Sequence, residues 1–187
     1  MTEITNNERR AAMLSDTTKT FAFTGHRPDK LGGYDESNAV AARTKAMLRA
    51  MITTAAERGY LTAISGMAIG TDMWAGEIVT AYFPELELIG AVPFNGQESK
   101  WPRESQVRYS ALLDRCTSVF VVEEKASNRA FHLRNQFMVD CSSLLIAVWD
   151  GAPDGGTAAC VKYARKQGRR IFWYNPKTDQ AEILEPS

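Results

Sequence analysis

Three glycine-bearing turns constrain the fold of this chain most, because each follows an apolar run. Thr24-Gly25-His26-Arg27-Pro28 follows Phe21–Phe23, Ser65-Gly66-Met67-Ala68-Ile69-Gly70 follows Leu61–Ile64, and Asp154-Gly155-Gly156-Thr157 comes after Leu144–Trp149. If the apolar runs are parallel strands, all three turns open at the carboxyl edge of one sheet, where such folds bind ligands. The pattern therefore predicts a site for a nucleotide or another phosphate-bearing ligand.

The rest of the chain alternates between apolar runs and helical periodicity. The runs predict six strands: Phe21–Phe23, Leu61–Ile64, Leu86–Val92, Ser118–Val122, Leu144–Trp149 and Arg170–Tyr174. The segments between them predict helices over Asn38–Arg58, Thr71–Phe83, Glu98–Arg115, Ala130–Cys141 and Thr157–Gln167. Strands that are apolar on both faces imply a parallel sheet covered on both sides. We therefore expect an α/β fold, a Rossmann-like three-layer sandwich with a mostly parallel six-stranded sheet.

A chain of 187 residues is long enough for one domain with a substantial core. Residues 1–18 predict a flexible N-terminal extension, although Asn7–Leu14 has the composition of a short helix. Residues 19–175 then form the Rossmann-like domain, and the polar residues 176–187 form a C-terminal tail.

Composition limits the partners of the chain. Lys and Arg number 22, as do Asp and Glu, so there is no overall positive field and we do not expect nucleic acid as a partner. The three cysteines form no CxxC pair and no cluster with histidine, which predicts that no metal or cofactor is required, although Mg²⁺ can accompany a phosphorylated ligand. The N-terminus lacks the apolar core of a signal peptide and no run is long enough to cross a membrane, so we expect a cytoplasmic protein.

The turn from Ser65 to Asp72 is the most informative of the three. Its small residues leave backbone N–H groups uncovered at the start of a helix, where the helix dipole also favours an anion. A phosphate fits there, and Asp72 then either caps the helix or accepts a hydrogen bond from a ribose hydroxyl. Gly155-Gly156-Thr157 repeats this arrangement, but it has neither the spacing of a dinucleotide fingerprint nor that of a P-loop, which argues against a kinase or an ATPase.

Several side chains leave two interpretations open. His26 and Arg27 form a basic pair that either holds a phosphate or belongs to a solvated loop. Trp101 either packs in the core or stacks on a base beyond the third strand. Arg134 and Asn135 lie near the middle of an amphipathic helix, and the periodicity does not say which of them reaches the crevice.

These residues resemble the YpsA-like family of the SLOG superfamily, which also contains the DprA/SMF proteins and the LOG phosphoribohydrolases. The similarity covers residues 19–175 and includes Pro93-Phe94 with Gln97, the run from Arg134 to Asp140, and Trp149-Asp150-Gly151. Family members are encoded by bacteria and by phages. The resemblance implies a Rossmann-like fold that binds a nucleotide-like small molecule, often as a homodimer or higher homo-oligomer. The ligand-binding positions it implies are Thr24, Gly25, His26, Arg27, Ser65, Gly66, Met67, Ala68, Gly70, Asp72, Trp101, Arg134, Asn135, Asp150, Gly155, Gly156 and Thr157.

Catalysis is less well supported by the resemblance. LOG enzymes carry a PGGxGTxxE motif with a catalytic Glu, whereas this chain lacks the additional Gly and has Cys160 where that Glu is expected. Hydrolysis would need another acid, such as Asp72, Glu77 or Glu123. We therefore expect first a sensor or sequestering protein for a nucleotide-derived signal such as an ADP-ribose or NAD derivative. A nucleotide-processing hydrolase is the alternative, and DprA-like single-stranded DNA binding is third.

Overall fold

A computed structural model describes residues 17–186 of the chain. Its strands are β1 (Thr20–Gly25), β2 (Thr62–Ser65), β3 (Glu87–Val92), β4 (Ser118–Val121), β5 (Leu144–Val148), β6 (Arg170–Asn175) and β7 (Gln180–Leu184). Its α-helices are α1 (Ala39–Glu57), α2 (Thr71–Tyr82), α3 (Arg103–Leu113), α4 (Asn128–Asp140) and α5 (Gly156–Lys166). The predicted α/β class is confirmed, while the helix considered for Asn7–Leu14 lies outside the described residues.

The strands form one sheet in the order β4-β3-β2-β1-β5-β6-β7. β1 to β6 are mutually parallel, and β7 pairs antiparallel with β6. The strand order reverses at β1, which has β2 on one side and β5 on the other. The carboxyl ends of β1 and β5 therefore flank the point at which a fold of this kind binds its ligand.

The predicted strand count of six is corrected to seven. The added strand, β7, lies in the segment that the sequence predicts as a polar tail. The Asn175 side chain accepts hydrogen bonds from the backbone N–H groups of Lys177 (2.9 Å) and Thr178 (3.3 Å), which makes a tight turn that brings the chain back along β6. An edge strand is held by backbone hydrogen bonds, so it needs no apolar run, and this is why hydrophobic periodicity missed it.

Two apolar cores cover the two faces of the sheet. Phe21 and Phe23 of β1 point into the core shared with α1, α2 and α3, whereas Ala22 points into the core shared with α4 and α5. This alternation of side chains places a helix layer on each side of the sheet, as the sequence predicts.

The start of α3 differs from the prediction. The sequence predicts a helix from Glu98, but α3 begins at Arg103, with Pro102 as its N-cap residue and a series of turns before it. Proline disfavours helical geometry in the residue that precedes it, so the helix cannot extend through Trp101. Trp101 instead packs against the core, with its ring edge-to-face on Tyr109 at 5.4 Å between ring centroids.

The turn after β1 is fastened to the start of α2. The His26 carbonyl accepts hydrogen bonds from the backbone N–H of Thr71 at 3.2 Å and from its hydroxyl at 3.0 Å. Gly70 has a φ of +98°, and a Cβ at that position would lie 2.8 Å from the His26 carbonyl oxygen. Glycine at position 70 therefore serves both the backbone conformation and the close approach of the two segments.

Replacing Gly70 with Ala should destabilise the fold by more than the backbone strain of its positive φ alone. We expect Gly70→Ala to lower the free energy of unfolding by about 2–4 kcal/mol, because backbone strain of about 1–3 kcal/mol is added to a clash with the His26 carbonyl. Gly33 is the matched control, because its φ is also +98° while none of the described residues comes within 4 Å of an added Cβ. Urea denaturation of Gly70→Ala and Gly33→Ala measures the difference. Equal losses of unfolding free energy in the two variants would show that the close approach of Gly70 to the His26 carbonyl contributes nothing.

Candidate functional site

A cleft of about 440 Å³ lies where the three glycine-bearing turns meet. Its walls come from the turn after β1, the start of α2, the first half of α4 and the start of α5. The predicted site residues that line it are Thr24, Gly25, His26, Arg27, Ala68, Asp72, Arg134, Asn135, Gly155, Gly156 and Thr157. Both Arg134 and Asn135 therefore face the cleft, where the helical pattern left open which one did.

The start of α5 is an accessible helix N-terminus at the cleft. Gly155 is its N-cap residue, and no atom of residues 17–186 lies within 4 Å of a Cβ added at Gly155 or Gly156. The first hydrogen bond within the helix runs from the N–H of Ala159 to the carbonyl of Gly155 at 3.0 Å. The preceding N–H groups have no carbonyl within the helix to bond, and the helix dipole adds partial positive charge there. An anion can therefore approach this end of α5.

The Thr157 hydroxyl ties α5 to β1. It donates a hydrogen bond to the Gly25 carbonyl at 3.1 Å. Gly25 itself has no room for a side chain, because a Cβ there would overlap the side chain of Thr71. The starts of α2 and α5 are thus both held against the end of β1.

The start of α2 is already occupied by protein groups, unlike that of α5. The Thr71 N–H bonds to the His26 carbonyl, and the Ser65 hydroxyl donates to the Asp72 carbonyl at 2.8 Å while accepting from the Met67 N–H at 3.1 Å. The N–H groups of Thr71 and Met73 are thus bonded to the carbonyls of His26 and Ala68, which leaves fewer N–H groups of α2 for the phosphate predicted at this turn. Of the turn, only Ala68 and Asp72 line the cleft.

The other predicted residues of that turn have supporting positions outside the cleft lining. Ser65, Gly66, Met67 and Gly70 are buried, and the Met67 side chain belongs to the core beneath α2. Trp101 also lies away from the cleft, in the core contact with Tyr109, so it is not placed to stack on a base there.

Asp72 and Arg134 form a buried ion pair at the cleft. Each is only 5% exposed, and Arg134 Nη1 lies 3.5 Å from Asp72 Oδ2. The same guanidinium donates to the Gly66 carbonyl and, through Nε, to Asn135 Oδ1 at 2.9 Å. A side chain at position 66 would overlap Arg134, so glycine there makes room for the pair.

A line of polar contacts connects this pair to the start of α5. Asn135 Nδ2 donates to the Gly156 carbonyl at 3.4 Å, while Asn135 Oδ1 accepts from Arg134. The two predicted turns of the sequence, at Asp72 and at Gly156, are therefore linked through neighbouring residues of α4.

Burial dominates the titration of the pair. It raises the pKa of Asp72 to about 6, against the opposing effects of the Arg134 charge, the Ala68 N–H and the Arg27 charge. Burial also lowers the pKa of Arg134, although Asp72 opposes that shift. At neutral pH the pair is ionised, and the Asp72 carboxyl takes up a proton in mildly acidic solution.

His26 is held in place by Asp150, which itself does not line the cleft. His26 Nε2 lies 2.8 Å from Asp150 Oδ1 and 3.0 Å from the Asp150 backbone nitrogen. Lys177 Nζ lies 2.6 Å from the other carboxylate oxygen. Burial lowers the pKa of His26, whereas for Asp150 the Lys177 and Ala152 contacts and His26 outweigh burial and hold its pKa well below the usual range. Asp150 is therefore a positioning residue for His26.

Two exposed cations stand at the mouth of the cleft, Arg27 and Lys30. Within residues 17–186, Arg27 has no carboxylate at ion-pair distance, and its guanidinium carbon lies 5.9 Å from the centre of the Phe131 ring. Phe131 is in turn held edge-to-face by Phe94 at 5.3 Å. The cleft thus offers an aromatic face beside cations that are available to a ligand.

Sequence reasoning missed six lining residues: Asp29, Lys30, Asn128, Phe131, His132 and Asp154. Phe131 lies three residues before Arg134 and four before Asn135, and His132 and Asn128 continue the same helical face. Extending the face of α4 from Arg134 back to the start of the helix, nearly two turns, would have found these three positions.

Residues 17–186 contain no group of three or more His, Cys, Asp or Glu side chains arranged to hold a metal ion. None of the helices in that range has the length and apolar character needed to cross a bilayer.

Two solved structures of DNA processing protein A (DprA) share this fold. The chain matches DprA from Streptococcus pneumoniae with a TM-score of 0.58 and 16% identity, covering 87% of this chain and 51% of that one. It matches DprA from Helicobacter pylori, in a structure describing its single-stranded DNA binding mode, with a TM-score of 0.59 and 17% identity, covering 91% and 71%. The chain therefore spans about half the length of the S. pneumoniae protein.

This likeness corrects the expectation about nucleic acid. The neutral charge balance predicted that nucleic acid would not be a partner, yet the H. pylori protein of the same fold binds single-stranded DNA. That expectation is wrong because a balanced overall charge does not prevent individual exposed cations, such as Arg27 and Lys30 in the cleft lining, from contacting phosphate groups.

Relatives with higher sequence identity include UPF0398 proteins of Bacillus. A UPF0398 protein of Bacillus cereus strain G9842 is 30% identical over 155 residues, which is 80% of this chain and 84% of that protein. A UPF0398 protein of Bacillus thuringiensis strain Al Hakam matches with the same identity and coverage. The YspA SLOG family matches over residues 21–176, which include all three turns of the cleft, and the chain belongs to that family.

Proposed function

We propose that this protein binds a nucleotide or a nucleotide-derived small molecule in the cleft, as a sensor or sequestering protein. The observation that carries the proposal is the accessible start of α5 at Gly155 and Gly156, with the cations of Arg27 and Lys30 nearby in the same cleft. Backbone N–H groups at a helix start bind phosphate without a dedicated side chain. The cleft volume of about 440 Å³ also falls within the usual range for small-molecule sites.

The remaining walls suit the other parts of a nucleotide. The Phe131 ring offers a face on which a base can stack, and the Asp72 carboxylate accepts hydrogen bonds of the kind that ribose hydroxyls donate. An ADP-ribose or NAD-derived signal combines these groups with phosphate. The proposal requires no resident cofactor, although Mg²⁺ can enter with the phosphates, and the predicted homo-oligomer and cytoplasmic location stay predictions.

Hydrolysis of a nucleotide is a second candidate, which Asp72 favours. Of the three acids considered from the sequence, Asp72 lines the cleft, whereas Glu77 is paired with Arg108 at 2.7 Å and neither Glu77 nor Glu123 lines it. Cys160, where LOG enzymes carry Glu, is 1% exposed, and burial raises the pKa of its thiol to about 11. Of these three acids, Asp72 is therefore the one placed to act as an acid or base in the cleft.

Single-stranded DNA is a third candidate. It is favoured by the fold shared with H. pylori DprA and by the exposed Arg27 and Lys30, since phosphate contacts supply most of the affinity of nucleic-acid binding proteins.

One experiment separates the three candidates. Freshly purified protein is first denatured, and the small molecules it releases are identified by mass spectrometry. Native purified protein is then titrated with the identified compound and, separately, with a thymidine oligonucleotide. A nucleotide-like compound recovered intact supports the binding protein, and recovery of a base with ribose phosphate supports the hydrolase. Tight oligonucleotide binding without a released nucleotide would favour DNA.

We expect Gly156→Glu to abolish binding of AMP while the fold is retained. A carboxylate at the first position of α5 would occupy and repel the phosphate, yet the position is exposed and has open space for a side chain. Gly156→Ala is the control and should bind AMP normally. Isothermal titration calorimetry measures both, and normal affinity in a folded Gly156→Glu protein would remove the α5 start from the site.

Arg27→Lys should weaken AMP binding although it keeps the charge. A guanidinium forms two parallel hydrogen bonds to phosphate that an ammonium does not reproduce, and loss of a charged hydrogen bond costs about 1.5–3 kcal/mol, or roughly 10- to 150-fold in affinity. Stability should change little because Arg27 is exposed. Arg129→Lys, an exposed arginine of α4 outside the cleft lining, is the control. If Arg27→Lys binds normally and melts many degrees lower, Arg27 is structural.

The buried carboxyl of Asp72 should leave a pH signature on stability. Its folded pKa of about 6 lies above the usual value, so its contribution is full below about pH 4 and is lost as pH rises through 6. Between pH 4 and pH 7, the unfolding free energy of the wild type minus that of Asp72→Asn should fall by about 2–3 kcal/mol. Urea titrations at several pH values measure this difference, and a constant difference would contradict the raised pKa.

A further inference from the structure

A second concave surface borders the cleft, which we call the α4–α5 groove. It has a volume of about 520 Å³. Its lining includes His132 and Asn135, which also line the cleft, together with Ala159, Lys162, Tyr163 and Lys166 of α5. The two concave surfaces therefore meet at His132 and Asn135 of α4, and a ligand that spans both passes these two side chains.

The residues that line the α4–α5 groove suit a second nucleoside with its phosphate. Ala159 and the buried Cys160 give it an apolar floor, and Tyr163 is held by a hydrogen bond from its hydroxyl to Asp140 Oδ1 at 2.8 Å. Lys162 and Lys166 are exposed and lie one helical turn apart on α5. Within residues 17–186, neither lysine has a carboxylate at ion-pair distance. An apolar floor beside two available cations fits a nucleoside that carries a phosphate.

We propose that the α4–α5 groove is a second subsite, which binds a second nucleotide unit joined through phosphate to a first unit in the cleft. This inference rests on the proposed function, because the first phosphate is placed at the start of α5. The lysines stand further along the same helix, on the groove that leads away from that start. The joining chemistry can be a pyrophosphate, as in NAD, or a phosphodiester, as in a dinucleotide.

A second copy of this chain is a weaker candidate for the groove. An interface there would have to bury Lys162 and Lys166, and burying a charge without a partner is costly. A phosphate ligand neutralises the same cations, and the adjoining cleft supplies its first anchor.

The test compares ligands of one and two units in two separate series. AMP is compared with NAD⁺, and thymidine 5′-phosphate with the 5′-phosphorylated thymidine dinucleotide, by calorimetry on the full chain. The variants are Lys162→Glu and Lys166→Glu. Arg165→Glu is the matched control, because Arg165 is an exposed cation of the same last turn as Lys166 but lies outside the groove lining.

We expect at least one two-unit ligand to bind the wild type tenfold or more tightly than its one-unit partner. Lys162→Glu and Lys166→Glu should remove that gain and leave one-unit affinity unchanged, while Arg165→Glu keeps the gain. No gain in either series, or a gain that survives both lysine variants, would overturn the second subsite while one-unit binding still supports the proposed function. Failure of every ligand to bind would overturn both. A change of oligomeric mass in the lysine variants with the ligand gain intact would identify the groove as a contact between copies and overturn the inference.

Discussion

The hydrogen bonds from Thr71 to the His26 carbonyl determine how this site is built. They satisfy the first N–H of α2 and fasten the turn after β1 across the sheet edge. Gly70 allows this approach through its positive φ and its lack of a side chain. Because the start of α2 is partly covered in this way, the start of α5 is the more open of these two at the cleft, and the cations of the β1 turn line the same cleft.

The buried ion pair of Asp72 and Arg134 connects the two turns that line the cleft. Arg134 contacts Asp72, Gly66 and Asn135 at once, and Asn135 reaches the Gly156 carbonyl at the start of α5. Ionising Asp72 in this buried position is costly, and Arg134 compensates for part of that cost. A ligand that displaces or joins these hydrogen bonds would therefore change the surroundings of both the Asp72 turn and the Gly156 turn.

Much of the fold could be predicted from the sequence. The buried parallel strands are continuous apolar runs, and their alternation with helices fixes a parallel sheet with two helix layers. β7 could not be found in this way, because it is held at the edge by backbone hydrogen bonds and begins after a turn set by Asn175. The start of α3 was misplaced because the effect of Pro102 on Trp101 outweighs the helical pattern before it.

The residues of the cleft could be predicted only in part, because contacts between distant parts of the chain decide which helix start is covered. Glycine turns report where the backbone bends, so the sequence located the cleft, but it could not tell an open helix start from one capped by a distant carbonyl. The difference between the Gly70 and Gly156 turns lies in the His26 carbonyl, 45 residues before Thr71 along the chain. Positions such as Phe131 are found from a helical face once Arg134 is known to point inward.

Amide NMR shifts test the central claim most directly, namely that phosphate binds at the start of α5 and not at that of α2. Titrating ¹⁵N-labelled protein with AMP should move the backbone amide signals of Gly156 and Thr157 strongly, while those of Gly70 and Thr71 move little. The reverse pattern, with Gly70 and Thr71 shifting and the α5 amides unchanged, would contradict the account.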